Sequence, residues 1–277
     1  MRYTFTLAFI LLMLHDDSRA QQYTKADSLK AKSYWDNSWN FTLYSAKHQL
    51  YLDSALMVIP THAYYWQQKS MPLYKAKKYE LGKPFLDNAV KYDAAKWLEY
   101  RAYMRCIFEK NYKGALEDFY VVKNKYNNIY VMDHPYDFYI GLCHLQLNRF
   151  DSSKAYIKGC VEDRLKKYGA DWVHPNHWFY LGIIEYEQEH YTNAIEAFDK
   201  AIKLHPKFSD AYYYKGMCQY ELHDNTASLA SMQSAIQYLN EGYSIREDGA
   251  LYELFPYQIH SSKVNAMIRS LEKTKQH

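Results

Sequence analysis

Glycine and proline are scarce in this sequence, with nine and seven residues among 277. A many-turned β-protein depends on such residues, so their scarcity disfavours that class and favours long helices. Charge of one sign is also lacking, because 34 basic and 31 acidic residues leave a formal net charge of +3. A charge this small and evenly spread does not indicate nucleic acid or an anionic membrane as a partner, and we expect neither.

Motifs that carry catalysis are also missing. The sequence contains no His-Glu-x-x-His, no glycine-rich phosphate loop and no Gly-x-Ser-x-Gly. Its densest polar cluster is Asp171, His174 and His177, which could hold a metal if the loop folded suitably. Pro175 lies between the two histidines and is expected to break that geometry, so surface loop histidines are the plainer interpretation. We therefore predict no enzymatic activity, no cofactor and no metal site.

Cysteine is sparse, and its spacing matches no zinc pattern. The four residues are Cys106, Cys143, Cys160 and Cys218. One pair is a candidate disulfide, Cys143 with Cys160, because they are expected on adjacent helices. The alternative is that all four thiols are small buried apolar groups.

A long apolar run occurs only at the N-terminus, and it is too short to span a membrane. Arg2 precedes an apolar stretch at residues 3–14, and Ser18 and Ala20 flank a small-residue cleavage pattern. About 20 apolar residues are needed for a transmembrane helix. Residues 1–20 are therefore predicted to be a cleaved signal peptide, with an uncleaved anchor or a buried N-terminal helix as alternatives. The mature chain is predicted to be periplasmic or secreted, without a stable membrane span.

Tyrosine is the residue in excess, with 31 copies. A buried tyrosine needs a hydrogen-bond partner for its hydroxyl, so it is a costly core residue. A helical protein this rich in tyrosine is expected to display many of them on a surface or along a groove.

Residues 175–208 contain a recognisable helix-turn-helix pattern. Its landmarks, in order, are Trp178, Leu181, Gly182, Ala194, Phe198, Ala201 and Pro206. The small residues leave room for a second helix to approach, the large ones fill the gap, and Pro206 ends the second helix. This unit resembles a tetratricopeptide repeat of about 34 residues. Glu185 departs from the family pattern, which usually has tyrosine there.

Weaker copies recur along the chain. Units beginning near residues 63, 97, 134 and 209 keep parts of the same pattern, and residues 21–62 read as a degenerate N-terminal repeat or cap. Repeats are thus predicted over 63–129 and 130–242, with a short insertion at 168–174, and a capping helix and tail over 243–277. The closing helix itself is predicted at 247–273. An irregular helical bundle is the alternative.

The resemblance implies an all-α, right-handed α-solenoid of stacked helix-turn-helix repeats with a C-terminal capping helix. It also implies that the first helix of each unit lines a concave face. The residues that it places there and that we predict to bind a partner are Tyr64, Met71, Tyr74, Tyr100, Met104, Tyr139, Tyr180, Tyr186, Tyr213, Met217 and Tyr220.

Tyrosine and methionine suit adaptable contacts, because they offer large apolar area with few charges. The predicted function is an exported adaptor that binds a protein or peptide in this concave groove. The alternative is a glycan-binding component of an envelope uptake system, since tyrosine and tryptophan faces stack on sugar rings. That alternative would make an oligosaccharide the ligand.

Overall fold

The structure is a computed structural model that describes residues 23–274. The predicted signal peptide at 1–20 lies outside these residues. Within them the chain forms thirteen α-helices and one two-strand hairpin. The helices are α1 Lys25–Ser38, α2 Ala46–Val58, α3 Ala63–Lys75, α4 Tyr79–Tyr92, α5 Ala94–Ile107, α6 Tyr112–Tyr126, α7 Tyr136–Gln146, α8 Phe150–Tyr168, α9 Pro175–Glu187, α10 Tyr191–Leu204, α11 Ser209–Glu221, α12 Asn225–Asn240 and α13 Ser261–Thr274.

Consecutive helices pack in pairs, from α1 with α2 to α11 with α12, and α13 packs on α12. Each pair also contacts the next along the chain. The predicted all-α solenoid of helix-turn-helix repeats is therefore confirmed. The small departure is a hairpin of β1 Tyr130–Val131 and β2 His134–Pro135, which lies between α6 and α7.

The turn inside each pair from α3 to α12 repeats one backbone conformation. Its left-handed residues are Lys77, Lys110, Asn148, Glu189 and His223, with φ between 54° and 63°. In the turn after α9, the backbone N–H of His190, which follows Glu189, donates to Glu185 O at 2.8 Å. This bond satisfies a carbonyl that the end of the helix leaves without a partner. The recurrence shows that the units are equivalent even where their side chains differ.

Gly182 of α9 lies against Phe198 of α10, as the sequence predicts. A Cβ at Gly182 would stand 2.5 Å from the Phe198 ring. Phe198 is fully buried and packs against Phe179 and Tyr214. Close helix approach at a glycine thus lets one large ring join α9, α10 and α11.

The buried apolar side chains form two clusters. A small one joins α1 and α2 around Leu52 and Leu56, and a large one runs from α3 to α13. Tyr64 and Trp66 contact both. The array therefore has a nearly continuous core, as stacked repeats require.

The predicted closing helix is wrong over its first half. Helix α13 begins at Ser261, and residues 243–260 form an irregular segment that we call the strap. The physical reason lies in the strap's own residues. Gly249 weakens a helix, and Pro256 removes a backbone donor and clashes with the preceding turn.

Candidate binding groove

The strap lies along the first helices of the pairs from α3 to α11. It contacts Lys75 of α3, Tyr103 of α5, Tyr180 of α9 and Tyr214 of α11. We call the surface that these helices present to the strap the inner face. It corresponds to the concave face that the repeat resemblance implies, and here the chain's own segment occupies much of it.

Asp210, near the start of α11, holds both ends of the strap. Its Oδ2 accepts the backbone N–H of Ile245 at 3.0 Å and the Ser244 hydroxyl at 2.9 Å. Its Oδ1 accepts the backbone N–H of Ile259 at 2.8 Å. Burial raises the pKa of Asp210 to about 6, although these donors act to lower it. The strap is thus a compact loop whose two ends meet at one carboxyl group.

The middle of the strap bonds to α9 and packs on α11. The Tyr180 hydroxyl donates to Pro256 O at 2.9 Å, and the Asn176 side-chain amide donates to the Glu247 carboxylate. The ring of Tyr257 packs edge-on against Tyr214, with centroids 5.8 Å apart. Helices α9 and α11 thus hold the strap through one of its backbone oxygens, one carboxylate and one aromatic ring.

The tip of the strap reaches α3 and α5. A Cβ at Gly249 would lie 2.4 Å from the buried Tyr103 hydroxyl, so the close approach requires glycine there. That hydroxyl has no hydrogen-bond partner among the described residues. Lys75 Nζ lies 4.9 Å from the centroid of the Tyr252 ring, in cation–π contact.

Glu253 anchors the tip by charge. Its carboxylate accepts the Tyr79 hydroxyl and lies 3.5 Å from Lys77 Nζ and 4.0 Å from Lys110 Nζ. Burial alone would raise the pKa of Glu253. The hydrogen bond and the two lysines outweigh burial and hold that pKa below its ordinary value.

The eleven predicted contact residues differ in exposure. Those that are buried are Tyr74, Met104, Tyr139, Tyr180 and Tyr213. Those that are half-buried are Tyr64, Met71, Tyr100, Tyr186 and Met217, and Tyr220 is exposed. The expected display of many tyrosines along the groove therefore does not extend to the first group, whose side chains are packed inside the structure. Their role in binding a partner stays a prediction.

Open recesses flank the strap at both ends of the inner face. One, of about 100 Å³, is lined by Met71, Tyr100 and Tyr252 among others. A wider one, of about 430 Å³, is lined by Tyr186, Tyr213 and the strap residue Tyr257. Six of the predicted contact residues line these two recesses, namely Met71, Tyr74, Tyr100, Met104, Tyr186 and Tyr213.

A cluster of histidines lies where the middle of the strap passes β2 and α9. His134 Nε2 lies 3.0 Å from Glu247 Oε1, and His134 Nδ1 lies 3.2 Å from His177 Nε2. The ring of His174 is edge-on to His134, with centroids 4.6 Å apart. Burial lowers the pKa of His134 to about 3 and that of His174 to about 4, and it raises that of Glu247 to about 7.

The expected obstacle at Pro175 is absent. Pro175 is the first residue of α9, where proline is tolerated, and His174 caps that helix by accepting the Asn176 N–H at 3.2 Å. His174 and His177 therefore stay close, with centroids 5.8 Å apart. Asp171 is exposed and does not belong to the group of potential ligands.

The candidate disulfide between Cys143 and Cys160 is wrong. All four cysteines are free and buried, and Cys143 Sγ lies 3.5 Å from Cys106 Sγ instead. Burial and the neighbouring thiol raise the pKa of Cys143 far above its ordinary value. The alternative interpretation, small buried apolar groups, describes these residues.

Sequence reasoning missed the strap and the contact of its residue Glu247 with His134. A signal was available, since Gly249 and Pro256 argue against helix in that segment. The path of the strap had no such signal, because its contacts join residues far apart in the chain. One example joins Tyr79 to Glu253 across 174 positions.

Among residues 23–274, no helix combines the length and the apolar character that crossing a bilayer requires. This finding concerns the described helices alone.

Comparison with known proteins places the fold. A family model described as tetratricopeptide repeat matches residues 175–242. A tetratricopeptide repeat protein from Parabacteroides merdae superposes with a TM-score of 0.61 at 11% identity, covering 88% of this chain and 99% of that one. PilW, a widely conserved type IV pilus biogenesis factor, gives 0.58 at 13% identity, covering 80% and 96%. Yeast Tom70 gives 0.56 at 13%, covering 89% and 48%. No curated protein matches in sequence.

Proposed function

We propose that this chain, whose residues 175–242 match a tetratricopeptide repeat model, is a scaffold whose inner face binds an extended segment of a partner protein, in competition with its own strap. The fold is of a kind that displays long concave surfaces for such contacts. The proposal assigns the chain no catalytic step.

The observation that carries the proposal is the way the strap is held. Asp210 accepts the backbone N–H groups of Ile245 and Ile259, and Tyr180 donates to the backbone oxygen of Pro256. Every polypeptide carries such groups, so the same side chains can hold an extended segment of another protein. Aromatic rings beside them add apolar contact without demanding one sequence.

A partner segment has an entry point at the recess lined by Tyr186, Tyr213 and Tyr257. Met217 and the exposed Tyr220 belong to the same helix as Tyr213 and extend the predicted contact surface beyond the strap. We propose that a segment first contacts these side chains and then replaces the returning arm of the strap around Tyr257.

The location of this scaffold is part of the proposal. Residues 1–20 have the composition of a signal peptide, so the scaffold is proposed to work in the periplasm or outside the cell. Intact-mass measurement of the protein from fractionated native cells checks this. We expect an N-terminus at Gln21 in an envelope or culture fraction, whereas an N-terminus at Met1 in the cytoplasm contradicts export.

The binding proposal is tested with a fluorescein-labelled synthetic peptide of residues 243–260, added to the full chain and followed by anisotropy. The resident strap competes at an effective concentration on the order of millimolar, so the wild type should bind the peptide weakly. In the variant Gly249→Ala, the added Cβ clashes with the Tyr103 hydroxyl and destabilises the docked strap, while no residue of the inner face is changed. This variant should bind the peptide about tenfold more tightly, since overpacking costs roughly 1–3 kcal/mol.

Two further proteins control this measurement. Gly159→Ala adds a Cβ that meets nothing within 4 Å, so it should bind like the wild type. Gly249→Ala combined with Tyr103→Phe removes the hydroxyl that clashes, so binding should return toward the wild-type value. Equal affinity for the wild type and Gly249→Ala, or no binding to either, would show that the inner face does not recognise an extended segment in this way.

A further inference from the structure

Three potential metal ligands converge beneath the strap from separate parts of the chain. His134 belongs to β2, His174 caps α9 and Glu247 lies on the strap. One nitrogen or oxygen atom from each lies within 4.8 Å of the other two. His134 and Glu247 are buried, and His174 is partly exposed.

His134 has a free nitrogen at the centre of this group. Its Nε2 lies 3.0 Å from Glu247 Oε1, yet the pair does not have the geometry of a hydrogen bond, and this nitrogen has no hydrogen-bond partner among the described residues. A buried polar atom without a partner costs about 1–3 kcal/mol. A buried imidazole nitrogen without a hydrogen-bond partner, close to a carboxylate and to a second imidazole, is suited to bind a metal ion.

The surrounding groups orient these side chains as a metal site requires. His134 Nδ1 lies 3.2 Å from His177 Nε2, so a ring that ligates through Nε2 can donate its other N–H to His177. Ligating histidines commonly have such a second partner. The Asn176 side-chain amide donates to Glu247 and fixes its carboxylate.

We propose that His134, His174 and Glu247 form a binding site for a divalent transition-metal ion, with Zn²⁺ the best match, and that His177 is a positioning residue for His134. Two imidazoles and one carboxylate are an established zinc ligand set, which leaves a fourth position for water. Metal–ligand bonds of 2.0–2.1 Å in tetrahedral geometry put ligand atoms about 3.3 Å apart. The three side chains therefore need only a small further convergence.

Charged side chains of both signs lie near the three ligands. The carboxylates of Asp133 and Asp248 add negative charge nearby, and the Arg164 guanidinium opposes them. The Asn176 N–H donates to His174 Nδ1 at 3.2 Å. Coordination through Nδ1 uses the accepting lone pair, and coordination through Nε2 puts the ring proton on Nδ1, so either mode breaks this hydrogen bond. Because the bond is long, its loss costs little.

The ion has a route into the site. A recess of about 160 Å³ is lined by His174, Asn176 and the strap residues Ser244 and Arg246. Because Glu247 belongs to the strap while both histidines belong to the helical array, a bound ion would tie the strap to the inner face. Metal would then slow the exchange between strap and partner segment, although the site itself does not depend on that proposal.

The test uses the untagged full chain, freed of metal with EDTA and titrated with ZnCl₂ by calorimetry. We expect one equivalent to bind with a Kd of about a micromolar or tighter. Glu247→Gln retains an oxygen for Asn176 but loses the charge, and His174→Ala removes a partly exposed ligand. Each should weaken zinc binding at least tenfold while helical circular dichroism stays unchanged.

Matched controls are available beside the site. Asp248→Asn alters the adjacent carboxylate, and His190→Ala removes an exposed histidine, so neither should change zinc affinity more than about twofold. Native mass spectrometry checks the stoichiometry, and hydrogen exchange should show zinc protecting the Ile245 amide. Absence of saturable binding to the wild type, or equal weakening by the controls, overturns the proposal.

Discussion

The helix pair α9/α10 and the strap both contact several helices, but their contacts span very different separations along the chain. In the pair, Phe179 and Phe198 pack against residues of their own and the next helix pair. In the strap, Pro256 contacts Tyr180 at a separation of 76 positions, and Leu254 accepts a bond from Lys110 at a separation of 144. One region builds the array locally, and the other joins its distant parts.

This difference has an energetic consequence. Stacked repeats are stabilised by each unit and its nearest neighbours. The strap adds contacts between the second pair and the sixth, which an array of this kind otherwise lacks. Many of its contacts are single hydrogen bonds and ion pairs, and exposed strap residues such as Leu251 gain nothing from burial. Local opening of the strap should therefore cost less than unfolding of any central helix pair.

The largest expected effect comes from breaking the local packing. Phe198→Ala removes a fully buried ring between α9 and α11, and should lower the free energy of unfolding by about 3–5 kcal/mol. Because Asp210 is on α11, strap amides should lose hydrogen-exchange protection together with those of α9 to α12. Urea denaturation and exchange mass spectrometry measure both.

Leu251→Ala is the control for that experiment, since Leu251 is 85% exposed and its loss should leave stability unchanged. Retention of wild-type stability by Phe198→Ala would mean that the strap, and not the helix pairs, carries the fold.

A smaller effect is expected from releasing the strap alone. Asp210→Ala leaves the N–H groups of Ile245 and Ile259 without their acceptor, at about 1–3 kcal/mol each while they stay buried. We expect exchange of these two amides to accelerate at least tenfold, with α3 to α8 unaffected. Asp224→Ala removes the N-cap of α12 and should cost about 1 kcal/mol without freeing the strap. Uniform acceleration across all helices would show that strap and array open as one unit.

The same distinction explains what the sequence could predict. The Gly182–Phe198 contact and the helix pairs repeat at a fixed period, so local pattern was enough to place them. Tyr180 occupies a predicted groove position on α9, but its hydroxyl is bonded to Pro256 rather than open to a partner. No periodic pattern predicts that bond, because it depends on where a non-repeating segment returns.

The histidine cluster was unpredictable for the same reason. His174 and His177 belong to one polar cluster in the sequence, but Pro175 was expected to break the geometry between them, and only the structure shows that they stay close. Their partners, His134 and Glu247, are separated from them by tens of residues in opposite directions along the chain. Only the fold of the array and the path of the strap bring the four together.

The smallest expected effect concerns charge at the tip of the strap. Glu253→Gln keeps the hydrogen bond from Tyr79 but loses the attraction of Lys77 and Lys110, which for a partly exposed group is worth less than about 1 kcal/mol. Because the folded pKa of Glu253 lies below its ordinary value of 4.5, its stabilisation is complete above about pH 4.5. It is lost as pH falls through the lowered folded pKa.

The tip residues 249–254 should therefore exchange faster below about pH 4 in the wild type, after correction for intrinsic exchange rates. Glu253→Gln should show faster exchange already at pH 7 and little further change on acidification at this site, whereas Glu241→Gln, an exposed carboxylate at the end of α12, should behave like the wild type. High salt should reduce the difference between wild type and Glu253→Gln, because it screens the two lysines. If the exchange rates of the tip residues change with neither pH nor salt, the packing of Gly249 and Tyr252 alone holds the tip. The charged contacts of Glu253 would then contribute nothing to docking the strap on the helices.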